Sequence, residues 1–126
     1  MSKRYITELP IHSFTPFQVP EFEFPIAQIE LRAIRSGKSI EFEIEIGWGK
    51  PMIADLGEME IVLRKHTAQG QEIFRSYEMC HQNAVSLLEH TEPGTETAAE
   101  AYVLLVRSAD SKAYLTGPIR LIAIVR

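Results

Sequence analysis

The sequence predicts an all-β fold: a two-sheet antiparallel sandwich, jelly-roll-like, with an extended N-terminal arm. Three observations predict it. In Ser39–Trp48, SIEFEIEIGW, the residues Ile40, Phe42, Ile44, Ile46 and Trp48 alternate with Glu41, Glu43 and Glu45. Successive strand side chains point to opposite sides of a sheet, so this pattern is a strand with one face in the core and one in water. About seven such short segments recur at roughly ten-residue spacing, divided by turn residues and without a helical stretch. Finally, 126 residues are enough for one cored domain and too few for two. Jelly-roll topology is the first expectation within this class, and an immunoglobulin-like arrangement the second.

Residues 1–26 are set apart as the arm, and 27–126 as the sandwich domain. Pro10, Pro16, Pro20 and Pro25 fall in the first segment, and no glycine does. Prolines at that density block a helix and interrupt a strand ladder, so the segment runs extended. It is also apolar, with Phe14, Phe17, Val19, Phe22 and Phe24 spaced along it. Those five are the candidate subunit-contact residues, because an extended segment this apolar needs a surface to lie on. That surface is either the chain's own sandwich or a neighbouring subunit, reached as an added strand.

From Ala27 the pattern is regular. Ala27, Ile29, Leu31 and Ala33 alternate with polar residues as a strand, and Ser36-Gly37 offers a hairpin turn into the Ser39–Trp48 strand. That hairpin aligns the apolar residues but sets Glu30 opposite Glu43, so the alternative is that the two strands lie in different sheets. A loop follows over 49–57. Met59, Ile61 and Leu63 mark a third strand, and Thr67–Gly70 a turn into a fourth over 72–79. A short fifth spans 85–89, and Thr91–Thr97, with Pro93-Gly94, is a loop by its turn chemistry. YVLLV (102–106) and IRLIAIV (119–125) are apolar on both faces, as central strands are when their outer face is covered too. Gly117-Pro118 predicts a bulge or bend at the entry to the last strand.

Composition bounds the function. Thirteen basic and seventeen acidic residues give a formal charge of −4, which argues against a nucleic-acid surface. No apolar run approaches the ~20 residues of a membrane helix. MSKRY is followed by a proline-broken segment and not by an apolar signal core, so synthesis in the cytoplasm without a signal peptide is expected. Cys80 is the sole cysteine, which leaves no intrachain disulfide; it reads as a buried thiol, with cross-linking between subunits as the alternative.

Candidate chemistry is sparse. His12, His66, His81 and His90 lack metal-ligand spacing, and no nucleophile elbow, phosphate loop or dinucleotide fingerprint occurs. The Glu41, Glu43, Glu45 stripe reads as a solvated face neutralised by neighbouring arginines. Trp48 reads as a core cap whose indole N–H finds a partner, and alternatively as a platform for a sugar or other small ligand beside the 49–57 loop. No catalytic residue, metal or cofactor is expected, and a small-molecule partner is disfavoured.

The C-terminal half resembles the small β-sandwich (jelly-roll) subunits found on the spore surfaces of Firmicutes, of the exosporium and endospore-appendage type. The residues that carry the likeness are Thr91-Glu92-Pro93-Gly94-Thr95 leading into Ala101-Tyr102-Val103-Leu104, and Leu115-Thr116-Gly117-Pro118-Ile119. The resemblance implies a jelly-roll subunit made without a signal peptide, placed on a spore surface, with an N-terminal extension used in assembly. Appendage subunits carry several cysteines and exosporium filaments a collagen-like repeat. This chain has Cys80 alone and no such repeat, so the assembly expected of it is non-covalent. Together these readings make the chain a non-enzymatic structural protein, self-associating into an oligomer or fibre through its arm and apolar sheet surface. A carbohydrate- or small-ligand-binding module is the alternative.

Overall fold

The computed structural model describes residues 2–50, 57–80 and 83–126. Nine strands appear among them: β1 (Lys3–Leu9), β2 (Phe17–Gln18), β3 (Phe24–Ile34), β4 (Ser39–Gly49), β5 (Gly57–Lys65), β6 (Gln71–Cys80), β7 (Asn83–Pro93), β8 (Thr97–Arg107) and β9 (Tyr114–Val125). They form two antiparallel sheets packed face to face. The first runs β1-β9-β4-β7, with β2 also on β9, and the second runs β3-β8-β5-β6.

The topology follows from one long ribbon. β5 pairs with β6 across the Thr67–Gly70 turn, β4 with β7, β3 with β8, and β1 with β9, each ladder nested outside the last. Rolling this ribbon brings β4 against β9 and β5 against β8, which closes the two sheets. That is the jelly-roll arrangement, and it explains why chain neighbours such as β3 and β4 fall in opposite sheets. The Ser36-Gly37 hairpin is therefore corrected, and the alternative of strands parted between sheets holds. The aligned apolar rows of β3 and β4 face one another through the core instead of lying side by side, so Glu30 and Glu43 are kept apart.

The core is built from the inward rows. Ile40, Phe42, Ile44, Ile46 and Trp48 of β4 are buried, as the alternation requires. They meet Leu31 of β3, Met59, Ile61 and Leu63 of β5, Leu104 and Val106 of β8, and Leu121 and Ala123 of β9. Phe42 and Tyr102 cross edge-on at 4.8 Å between ring centres. β8 and β9 are central strands, as their two-faced apolar character predicts. On the outer side of β8, Val103 and Leu105 are buried with Val62, and Ala68 of the chain's own turn packs on them.

Several boundaries differ from the sequence reading. β7 is eleven residues long and runs to Pro93, so most of the expected Thr91–Thr97 loop is strand. Gly117-Pro118 lies inside β9, and the β4–β9 register shifts opposite it, between Ile46 and Trp48. Gly47 is needed there, since a Cβ would overlap the carbonyl of Gly117. Of the expected 49–57 loop, residues 51–56 lie outside the described residues.

The segment expected to be a separate arm is woven into the sandwich. Lys3–Leu9 make a seven-residue ladder on β9, from Lys3 opposite Val125 to Leu9 opposite Ile119. Tyr5 and Thr7 face inward and tie β1 to β3, their hydroxyls bonding the carbonyls of Arg32 (3.2 Å) and Gln28 (2.7 Å). β3 begins at Phe24, so the 26/27 boundary falls inside a strand. The prolines sit where missing N–H groups cost little. Pro10 opens a turn, Pro20 accepts the Ser108 amide at 2.8 Å, and Pro25 lies in an edge strand beside a register shift.

Candidate assembly surface

The five residues expected to contact a neighbour divide between inside and outside. Val19 is fully buried, and its amide bonds the carbonyl of Ala113 at 2.9 Å. Phe14 and Phe17 pack on the core, with ring centres 6.0 Å apart, and Phe24 meets Phe17 edge-on at 5.7 Å. Phe22 alone projects well into solvent. Extended backbone let the segment add strands to its own sheets, so Val19 supports this chain's core instead of an outer surface.

A charged clasp holds the segment near Phe22. Both carboxylate oxygens of Glu23 accept from the fork of Arg64, at 2.8 and 3.0 Å, and Arg75 adds a third bond at 3.1 Å. Arg75 also donates to Glu60 (2.6 Å) and Glu72 (2.9 Å). Arg107 bonds Glu60 and, through Nε, the carbonyl of Glu21 at 2.8 Å. Three arginines thus meet three glutamates on the outer face of the second sheet. The Arg64 hydrogen bond, aided by Arg75, holds the Glu23 carboxyl below its ordinary range although burial opposes this. Arg64 and Arg75 are raised in turn. Balanced charge and good geometry make this a fastening for the 21–24 segment. Sequence spacing could not reveal it, because its members come from four separate stretches.

The other candidates have structural roles. Glu45 pairs with Arg120 at 3.2 Å and Glu41 with Arg126 at 3.1 Å, as expected of the stripe, while Glu43 lies opposite Glu89. Cys80 is a buried free thiol, and that burial pushes its pKa up, against a smaller lowering by Lys50. Trp48 is fully buried, and its indole N–H donates to Ser86 Oγ at 2.9 Å, so the ring offers no face to a ligand. The ligand-platform alternative for Trp48 is corrected on that ground. Among the described residues no group of three or more His, Cys, Asp or Glu side chains could hold a metal ion.

Apolar side chains are exposed along the N-terminal segment, at Ile6, Leu9 and Ile11, and more strongly on the β6–β7 side of the sandwich. β6 and β7 are the edge strands there. Leu87 is 72% exposed, Tyr77 71%, Met79 63% and Val85 54%. Tyr77 lies opposite Glu60 and Met79 opposite Glu58, which puts both on the outer face of the second sheet. Leu87 and Val85 lie opposite Glu45 and Gly47, on the outer face of the first. Within AVSLL (84–88) it is the register on β4, and not the sequence pattern, that turns Val85 and Leu87 outward.

No family model matches the sequence, and no curated protein matches it. Among solved structures the chain has a match to the crystal structure of the infectious bursal disease virus VP2 subviral particle, with 12% identity and a TM-score of 0.33. That alignment covers 98% of this chain and 40% of the other, so the chain spans well under half of it.

Proposed function

We propose that this protein is a non-enzymatic structural subunit that self-associates, and that its contact surface is the β6–β7 side of the sandwich. The observation that supports this reading is the set of four large apolar side chains standing exposed on two neighbouring edge strands. An edge presents unpaired backbone N–H and C=O groups, and apolar side chains beside them invite another chain. Phe22, next to the Glu23 clasp, is the most exposed of the five residues expected to contact a neighbour. The resemblance to spore-surface subunits makes an outer spore layer the proposed setting.

Deleting the N-terminal segment is not a clean test, because it would strip β1 from β9 and Val19 from the core. The direct test is mass in solution, by sedimentation over a wide concentration range. A mass that grows above the 14.3 kDa of one chain supports the proposal, and one that stays there at every concentration overturns it.

A further inference from the structure

The edges of the two sheets are not protected alike. β1 carries Lys3, Arg4 and Glu8, and β6 carries Glu72, Arg75 and Glu78. β3 carries Glu30 and Arg32 and is broken by Pro25 with a register shift beside it. Charges, prolines and bulges of this kind are how natural sheets stop one edge from pairing with another. β7 has none of them over 84–88: Ala84, Val85, Ser86, Leu87 and Leu88 are uncharged, free of proline and glycine, and in unbroken register on β4.

We infer that β7 pairs antiparallel with β7 of a second copy of this chain, about a two-fold axis at Ser86. This rests on the self-association proposed above and names its contact. The occupant follows from the window's pattern, which complements itself. About Ser86, Val85 of one strand faces Leu87 of the other on the outer face, and Ala84 faces Leu88 on the inner face. Each apolar side chain meets an apolar partner, and Glu89 stays outside the other strand's 84–88 window, so no carboxylate opposes another there. A two-fold contact of this type is closed and uses one patch twice. It joins the two copies' first sheets into one ten-stranded sheet that runs β1-β9-β4-β7-β7-β4-β9-β1, with β2 also on each β9. Tyr77 and Met79, on the neighbouring edge strand, flank the same side.

The experiment compares Leu87→Lys, Ile6→Lys and the unaltered chain by sedimentation equilibrium. Leu87 is exposed and lies opposite Glu45, so an edge lysine there leaves the fold intact. The expected result is a dimer dissociation constant raised about tenfold or more by Leu87→Lys and unmoved by Ile6→Lys, on the β1 edge. A second measurement reads the register directly. In a Cys80→Ser background, chains carrying Val85→Cys and chains carrying Leu87→Cys should form a mixed disulfide in preference to either homodimer. If the unaltered chain associates but Leu87→Lys does not weaken it, or the mixed disulfide shows no preference, β7 pairing about Ser86 is overturned while self-association stands. A chain that is monomeric throughout overturns both.

Discussion

Trp48 and Ser86 are joined by a 2.9 Å hydrogen bond from indole N–H to hydroxyl, both buried, one on β4 and the other on β7. The bond satisfies the single donor of the largest core side chain and fastens an edge strand to its neighbour. Ser86→Ala leaves the indole N–H without that acceptor in a dry site, and should cost about 1–3 kcal/mol in urea unfolding. An unchanged midpoint would show that the bond does not matter to stability.

Val19 tests whether the N-terminal segment serves its own chain. Its complete burial predicts that Val19→Ala lowers stability by about 2–3 kcal/mol, independent of protein concentration. Phe22→Ala, at an exposed site, should stay within about 0.5 kcal/mol of the parent. Equal effects at the two positions would contradict the placement of this segment.

The Glu23 clasp makes stability depend on acid. The folded carboxyl titrates below its ordinary value of 4.5, so its contribution is whole above that pH and is lost as pH falls through the lower folded value. Glu23→Gln should therefore cost about 1.5–3 kcal/mol at neutral pH, and much less at a pH where the wild-type carboxyl is itself protonated. Paired urea titrations at the two pH values give the comparison, and a constant difference between them would argue against the clasp.

At the alkaline end the sensitive group is Tyr102, whose phenol is pushed from 10.0 up to about 12, first by burial and then by Glu100 and Glu92. A raised phenol favours the neutral folded form, so its contribution is whole below pH 10 and disappears as pH rises to 12. The full effect is roughly 2–3 kcal/mol. Tyr102→Phe keeps the ring against Phe42 and should unfold at a higher pH than the parent in an alkaline titration.

Backbone proximity gives the sharpest contrast between two glycines. Gly47→Ala forces a methyl into the carbonyl of Gly117 and should cost about 3 kcal/mol. Gly37 has a φ of +85° but open space around it, so Gly37→Ala should cost only about 1 kcal/mol of backbone strain. Thermal melts of the pair should rank them in that order.

β4, β5 and the two central strands could be read from sequence because burial there follows side-chain alternation closely. β1 was hidden for the opposite reason: Ile6 points outward, while Tyr5 and Thr7, the half-polar residues, point in. β7 looked short because its last residues, Thr91 to Pro93, carry turn chemistry yet still pair with Glu41, Ile40 and Ser39. Pairing with a long neighbour overrode local preference. The β3–β4 hairpin failed because matching apolar rows serve equally for strands side by side and for strands facing across a core. The exposed β6–β7 side has no signature beyond outward Val85, Leu87, Tyr77 and Met79, which becomes visible only once the register is known.

The ladder that sets Lys3 beside Val125 has a consequence for engineering. β1 starts where β9 finishes, so a short peptide bridge can link Val125 to Lys3 while a fresh break is made within Thr67–Gly70. Such a circular permutant would turn the ribbon inside out: β9 and β1 would become its innermost hairpin, and β5 and β6 its outermost pair. Its folding would show whether the order of synthesis matters to this architecture, or only the final neighbours of each strand.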